Sequence, residues 1–369
     1  MTVSELVQAA VRYREKLDKI KAARAGVGWY PYDSLANFTH IARLLGPARE
    51  RLFDTLPSRR VLDVGAGDGD VSFFLESLGF EVEAIDSALS NHSALEGFRA
   101  LQHELGSRVR LTECDLDGRW ALEGREYALA LNLGLLYHLK NPFYVMEELA
   151  RRAHFCLVSC KIADLFEAAG EGSRAHLPLA YLVDSDELND DNSNFWVFTE
   201  TCLKRLFARS GWVVLDSLRV GAQCARAASR DDDARLFALL TSQKLRARVR
   251  PDSGWHESES DEWRWTEPRF RVGLPVLGRE ARALVIETNI LEATLSAGVN
   301  ALNCRVNSAS EVQRVEIHSP GLRTFRFQIP AVDWPCGEIL AEFWLDTPTV
   351  CPPGDSRQLG LVVIRMELR

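Results

Sequence analysis

The spacing of apolar residues changes twice along the chain, and those changes divide it. Over residues 3–24, Val3, Leu6, Val7, Ala10, Leu17 and Ile20 fall on one stripe with charged residues between them, which predicts a helix. Its positive end (Lys16, Lys19, Lys21, Arg24) reads as a solvated face before it reads as a nucleic-acid contact. Residues 26–35 then place three aromatics around Pro31, which no regular helix accommodates. This is either a packed aromatic turn or a lid over a ligand carried by Tyr30 and Tyr32, with Asp33 or Ser34 capping a helix through Leu44.

From residue 61 the pattern becomes short apolar runs separated by helix-like segments. Runs at 61–64, 81–86, 109–115 and 127–134, followed by 212–215 and 235–240, fit an α/β fold with a Rossmann-like sheet of seven strands. Residues 180–199 interrupt it as an acidic, amide-rich, aromatic insertion, either a solvated loop or a substrate lid with Asn194 and Trp196 facing the substrate. Thr199 is placed to cap the helix that follows. Pro251 to Pro268 is acidic and tryptophan-containing, with prolines at both ends, and reads as a linker. Beyond 269, alternating runs at 283–288, 312–317, 324–329, 339–345 and 359–364 predict an all-β sandwich. The expected division is 1–48 (helical and lid segment), 49–250 (nucleotide-type domain), 251–268 (linker) and 269–369 (β sandwich).

The candidate chemistry sits where the strands end. Val61-Leu62-Asp63-Val64-Gly65-Ala66-Gly67-Asp68-Gly69 runs from a strand into a glycine turn ahead of a helix, which lets a nucleotide-like ligand approach bare backbone. The second run ends in Asp86, the third in Asp115, and the fourth in Asn132, Leu133 and Gly134. In parallel sheets such ends form the ligand crevice. Taken together, 61–69, Asp86, Cys114-Asp115-Leu116 and Asn132-Leu133-Gly134 resemble the class I S-adenosylmethionine-dependent methyltransferases. Gly134 to Pro142 is similar to the branch holding the tRNA wobble-uridine carboxymethyltransferases, over roughly residues 27–245.

The resemblance implies S-adenosyl-L-methionine as cofactor and S-adenosyl-L-homocysteine as product. It assigns Asp63, Gly65, Ala66, Gly67, Asp86, Ser87, Asp115, Leu116, Asn132, Leu133 and Tyr32 to the cofactor, with Asp86 on the ribose hydroxyls and Asp115 and Leu116 on the adenine. Tyr30, Asn194, Trp196 and Arg235 face the acceptor on this reading. Tyr137 and His138 are the catalytic candidates; His138 is either a general base or a structural histidine bonded to backbone. Tyr137 and Arg235 match residues with which the branch holds a carboxylated cofactor. The lysine expected near Trp29 is replaced by Tyr30 and Pro31, so the plain cofactor is the one expected.

Composition narrows the partners. A net charge of −8 argues against a protein devoted to gripping a polyanion. The expected acceptor is a small molecule or a glycan-linked hydroxyl, with O-methylation the expected reaction. A tRNA-modifying enzyme and a non-catalytic protein that binds through its sandwich are the alternatives. The eight cysteines include no Cys-x-x-Cys pair, so no metal is expected. No apolar run could span a membrane, and a cytoplasmic protein is expected. Residues 352–360 resemble a closing motif of β-sandwich modules on bacterial glycan-handling enzymes, within which Asp355 and Arg357 form an ion pair or touch a ligand. The module could also assemble a homo-oligomer.

Overall fold

A computed structural model describes the chain except residues 1, 55, 119, 121–124, 167–171, 189–190, 229–232, 247–248, 258–262, 275–281, 307–310, 330–338, 352–353 and 369. The chain forms two compact units, Met1–Leu245 and Arg246–Arg369.

In the first unit, helix α1 (Val3–Ala23) starts with a capping box in which Thr2 and Glu5 satisfy each other's backbone N–H groups. Its buried stripe is Val3, Leu6, Ala10 and Leu17. Asp33 accepts from the N–H of Ala36 and so caps a 3₁₀ turn that leads into α2 (Asn37–Leu45). The alternating elements follow: β1 (Arg60–Val64), α3 (Asp70–Ser77), β2 (Glu81–Asp86), α4 (Glu96–Leu105), β3 (Arg110–Glu113), β4 (Tyr127–Leu133), α5 (Pro142–Arg152) and β5 (Ala153–Lys161). A two-stranded ribbon, β6 (Ala180–Leu182) with β7 (Trp196–Phe198), precedes α6 (Glu200–Arg209), β8 (Trp212–Val220) and β9 (Arg235–Ser242). Thr199 caps α6 by accepting from the N–H of Cys202.

The seven sheet strands run in the order β3-β2-β1-β4-β5-β9-β8. The first five pair in parallel, and β9 enters antiparallel to both β5 and β8. Central strands covered on both faces are mostly apolar, and Val61 to Val64 and Tyr127 to Asn132 are buried throughout, with Asp63 and Asn132 as their buried polar residues. The order reverses between β1 and β4, so the crevice opens beside the ends of those two strands.

The second unit holds β10 (Arg250–Trp255), β11 (Arg264–Leu274), β12 (Arg282–Ile290), β13 (Asn300–Val306), β14 (Gln313–Ile317), β15 (Gly321–Ile329), β16 (Ile339–Leu345) and β17 (Val362–Leu368). Every ladder among them is antiparallel. Strand β11 pairs with β17 at Arg264 and Trp265, then with β16 from Arg269 to Leu274, and so joins two half-sheets. Their inner faces meet where Phe327 of β15 packs edge-on against Phe343 of β16 at 5.2 Å. The stretch expected to be a linker therefore supplies two strands, apart from 258–262, which lie outside the described residues. Pro268 disguised it, yet this proline falls in the gap where β11 changes partners, and no ladder bond needs its missing N–H. Asp355 and Arg357 form an ion pair at 2.7 Å.

Candidate functional site

Parallel strands bring their C-terminal ends to one edge, and the residues there interlock. Strand β1 ends, Gly65 takes φ +76°, and the N–H of Gly65 donates to Ile85 O at 2.8 Å. Asp63 is buried beneath the turn and accepts from Ser72 Oγ of α3 at 2.6 Å. Burial chiefly pushes its carboxyl up to about 6, against the pull of Ser72. Asp86, at the end of β2, accepts from the N–H of Gly67 at 2.7 Å, from Ser87 N–H at 2.7 Å and from Asn91 Nδ2 at 3.1 Å. Its pKa is raised by burial, against these donors. Ala66 is buried, and its carbonyl closes the turn by accepting from Gly69 N–H at 2.9 Å. Asp115 is exposed and accepts from Asp117 N–H at 3.0 Å, while Leu116 beside it is buried.

The N-terminal segment lies across the glycine turn. Lys21 of α1 places its ammonium 2.8 Å from Asp70 and 3.9 Å from Asp68. It is thus an interior cation, not the solvated one its sequence neighbourhood suggested: two acids of the glycine turn draw it in. Asp68 Oδ2 accepts from Tyr30 N–H at 2.7 Å, and Asp68 Oδ1 from Ser93 Oγ at 3.2 Å. The Tyr30 ring comes to lie over Gly67, where a Cβ would stand 3.9 Å from it. Burial pushes the Tyr30 phenol up to about 12. Tyr32 packs edge-on against Tyr30 at 5.3 Å and is 66% exposed, so it borders the turn from outside.

The end of β4 completes the edge. Asn132 is wholly buried, and neither its Nδ2 nor its Oδ1 has a hydrogen-bond partner among the described residues. Leu133 follows it half-buried, and Gly134 then takes φ +83°. A Cβ there would stand 3.6 Å from an Arg235 terminal nitrogen and 3.7 Å from the Tyr137 hydroxyl. Arg235 thus reaches across β5 from β9 to this point, with its Nε held by Asp233 at 3.1 Å. Burial opposes its charge, but Tyr137 and Asp233 outweigh burial and raise its pKa. His138, on a 3₁₀ turn (Leu136–His138), has its pKa lowered by burial, with Asp191 opposing.

The insertion docks on that turn: Phe195 N–H donates to Tyr137 O at 2.8 Å, and Ser193 contacts the His138 ring. Asn194 does not face the crevice. It is buried, and its amide donates to Leu188 O and Asp191 O, so it shapes the loop. Trp196 packs on the core with its Nε1 buried and unpartnered among the described residues. Asn189 and Asp190 lie outside the described residues.

Sequence reasoning missed Lys21, Asp68, Asn91 and Ser93. Asn91 donates to both Gly67 O and Asp86, and so clips the β2–α4 loop to the glycine turn. The acids at 68 and 70 were the available signal, since two neighbouring buried carboxylates require a cation.

A seven-stranded sheet with its antiparallel strand beside β5, and a glycine turn at the switch point, is the Rossmann-like fold of methyltransferases. Residues 38–217 match the family model described as "Methyltransferase domain". No curated protein matches the chain. Among solved structures, the PH0226 protein of Pyrococcus horikoshii OT3 is similar at 16% identity, over 56% of this chain and 91% of that one, with a TM-score of 0.38. The N-terminal domain of EvdMO1 with SAH bound is similar at 15% identity, over 62% and 96%, with a TM-score of 0.41. The glycopeptide N-methyltransferase MtfA complexed with S-adenosyl-L-methionine is similar at 18% identity, over 53% and 92%, with a TM-score of 0.36.

Residues 38–217 therefore resemble a methyltransferase domain, and that domain implies S-adenosyl-L-methionine as the cofactor. The edge suits that group: Gly65 and Gly67 turn the chain with positive φ and no Cβ, Asp86 supplies a carboxylate, and the amide of Asn132 has no partner among the described residues.

Proposed function

We propose that the chain transfers a methyl group from S-adenosyl-L-methionine to a hydroxyl of a small-molecule or glycan-linked acceptor. The observation that carries this reading is the convergence of Gly134, Tyr137 and Arg235 at the end of β4, one strand from the glycine turn. In this reading Gly65, Ala66 and Gly67 border the cofactor with Asp63 beneath them. Asp86 and Ser87 lie at its ribose, Asp115 and Leu116 at its adenine, and Asn132 and Leu133 at its methionine end. Tyr30 and Tyr32 cover it.

The cofactor supplies an electrophilic methyl on a sulfonium, so the chain's task is to position the acceptor and manage its proton. Tyr137 and Arg235 orient the acceptor through hydrogen bonds, and the indole N–H of Trp196 is a further donor. His138 takes the hydroxyl proton; its pKa, lowered by burial, keeps the imidazole neutral and able to accept. Asp115 and Asp117 follow β3, Asp191 stands behind Ser193 at His138, and Asp233 pairs with Arg235, so carboxylates border this edge and favour a small acceptor over tRNA.

Calorimetry with S-adenosyl-L-homocysteine on the full chain tests the cofactor half. Binding that disappears in Asp86→Ala supports it; no binding to the wild type removes it. Mass spectrometry of the co-purified ligand separates plain from carboxylated cofactor. Product analysis after incubation with hydroxylated acceptors tests the acceptor half, and methylation of tRNA instead would reverse the preference.

A further inference from the structure

The loop between β6 and β7 brings two residues to His138 that the reaction as proposed does not use. Ser193 Oγ lies 2.9 Å from His138 Nδ1 and 2.5 Å from Asp191 Oδ1. The Ser193 carbonyl oxygen lies 3.2 Å from the same Nδ1. Asp191 Oδ1 also accepts from the Ser193 N–H at 2.9 Å, which fixes the serine from a second side. The loop in turn is held by Phe195 N–H on Tyr137 O and by the Asn194 amide.

Hydrogen-bond chemistry assigns the protons. A carboxylate only accepts, so the Ser193 hydroxyl hydrogen points to Asp191. What Ser193 then presents to Nδ1 is a hydroxyl lone pair and a carbonyl, both acceptors. Nδ1 must carry the hydrogen, and the other ring nitrogen, Nε2, is left bare. A histidine bonded only to backbone would need neither the hydroxyl nor the carboxylate behind it.

We infer that Asp191 and Ser193 are positioning residues that lock His138 in the Nδ1–H tautomer, leaving Nε2 free to take the acceptor's proton. This rests on the reading of His138 as the base. As the acceptor oxygen bonds to the methyl carbon, the sulfur keeps the electron pair of the broken S–C bond and the hydroxyl proton passes to Nε2. The imidazolium formed donates from Nδ1 to Ser193, whose hydroxyl donates on to Asp191. Among the described residues, the charged and titratable groups facing the ring are Asp191 from the loop, Arg235 from β9 and Tyr137 on its own turn, with ring centres 4.2 Å apart. Asp191 favours the imidazolium, while Arg235 and burial oppose it.

Long-range proton–nitrogen spectra of the full ¹⁵N-labelled chain, taken across a pH titration, test this without any acceptor. His138→Gln assigns the signals. The wild type should show a bare Nε2 and a protonated Nδ1. Ser193→Ala should give a mixture of tautomers, and Ser193→Thr should restore one. Asp191→Asn should lower the His138 pKa by about half a unit, roughly a threefold loss of proton affinity. A wild-type ring protonated at Nε2 would overturn the inference even if every variant failed to fold. So would variants that lose thermal stability while tautomer and pKa stay unchanged. Calorimetry with S-adenosyl-L-homocysteine on the same samples keeps failure of this inference distinct from failure of the cofactor reading.

Discussion

Asp86 and Gly67 are joined by a 2.7 Å hydrogen bond from backbone N–H to carboxylate, which ties the end of β2 to the glycine turn after β1. The acid thus shapes the turn as well as offering itself to a ligand. Asp86→Ala should remove both effects. Hydrogen bonds to charged groups are worth about 1.5–3 kcal/mol, so affinity for S-adenosyl-L-homocysteine should fall at least tenfold, or about 1.4 kcal/mol. Titration calorimetry reads this directly, and unchanged affinity would remove the assignment.

Gly69→Ala should destabilise the first unit. Gly69 has φ +85°, and a Cβ there would stand 2.6 Å from the Phe73 ring and 2.7 Å from the Phe98 ring. Left-handed backbone costs a residue with a Cβ about 1–2 kcal/mol, and overpacking adds about 1–3 kcal/mol. Urea unfolding should show a loss of at least about 2 kcal/mol.

Lys21→Met should loosen the N-terminal segment. The substitution keeps the aliphatic stem but leaves Asp68 and Asp70 buried without their cation. Limited proteolysis between residues 24 and 32 should speed up several-fold. An unchanged cleavage rate would mean that the Asp68 bond to Tyr30 holds the segment without help.

Asp63 makes stability depend on pH. Its folded pKa, about 6, lies above the unfolded value near 3.8, so the folded chain binds the proton more tightly. That contribution is complete below about pH 4 and is lost as pH rises through about 6. Asp63→Asn keeps an acceptor for Ser72 and has no proton to lose. Relative to the variant, the wild type should therefore lose up to about 3 kcal/mol between pH 4 and pH 7. Urea unfolding of both proteins at several pH values checks the difference.

Phe343→Ala should damage the sandwich. The ring is wholly buried between Phe270 at 5.0 Å and Phe327 at 5.2 Å. Loss of a buried aromatic side chain costs about 3–5 kcal/mol, to be read as a lowered melting transition.

The strand-ending acids, the glycine turn and the seven-strand pattern were legible in the sequence because each is local. Apolar runs mark buried parallel strands, and strand ends of a parallel sheet share an edge whatever the loops do. Pro251 and Pro268 hid β10 and β11, because a proline's harm to a strand depends on whether its neighbour needs the N–H, which only pairing reveals. Asn194 and Trp196 show the same limit: both lie on the insertion, yet one amide closes the loop while one indole N–H has no partner among the described residues.

By itself, then, the sequence determined the class of fold and the carboxylates along one edge, since hydrophobic period and chain order suffice for those. Tertiary structure alone decided that Lys21 reaches acids 47 and 49 residues further on, that Arg235 crosses β5 to Gly134, and that Ser193 and Asp191 meet His138 from a distant loop. These are contacts between residues far apart in the chain. Distance, direction and burial, none of them encoded in local spacing, set what each side chain does.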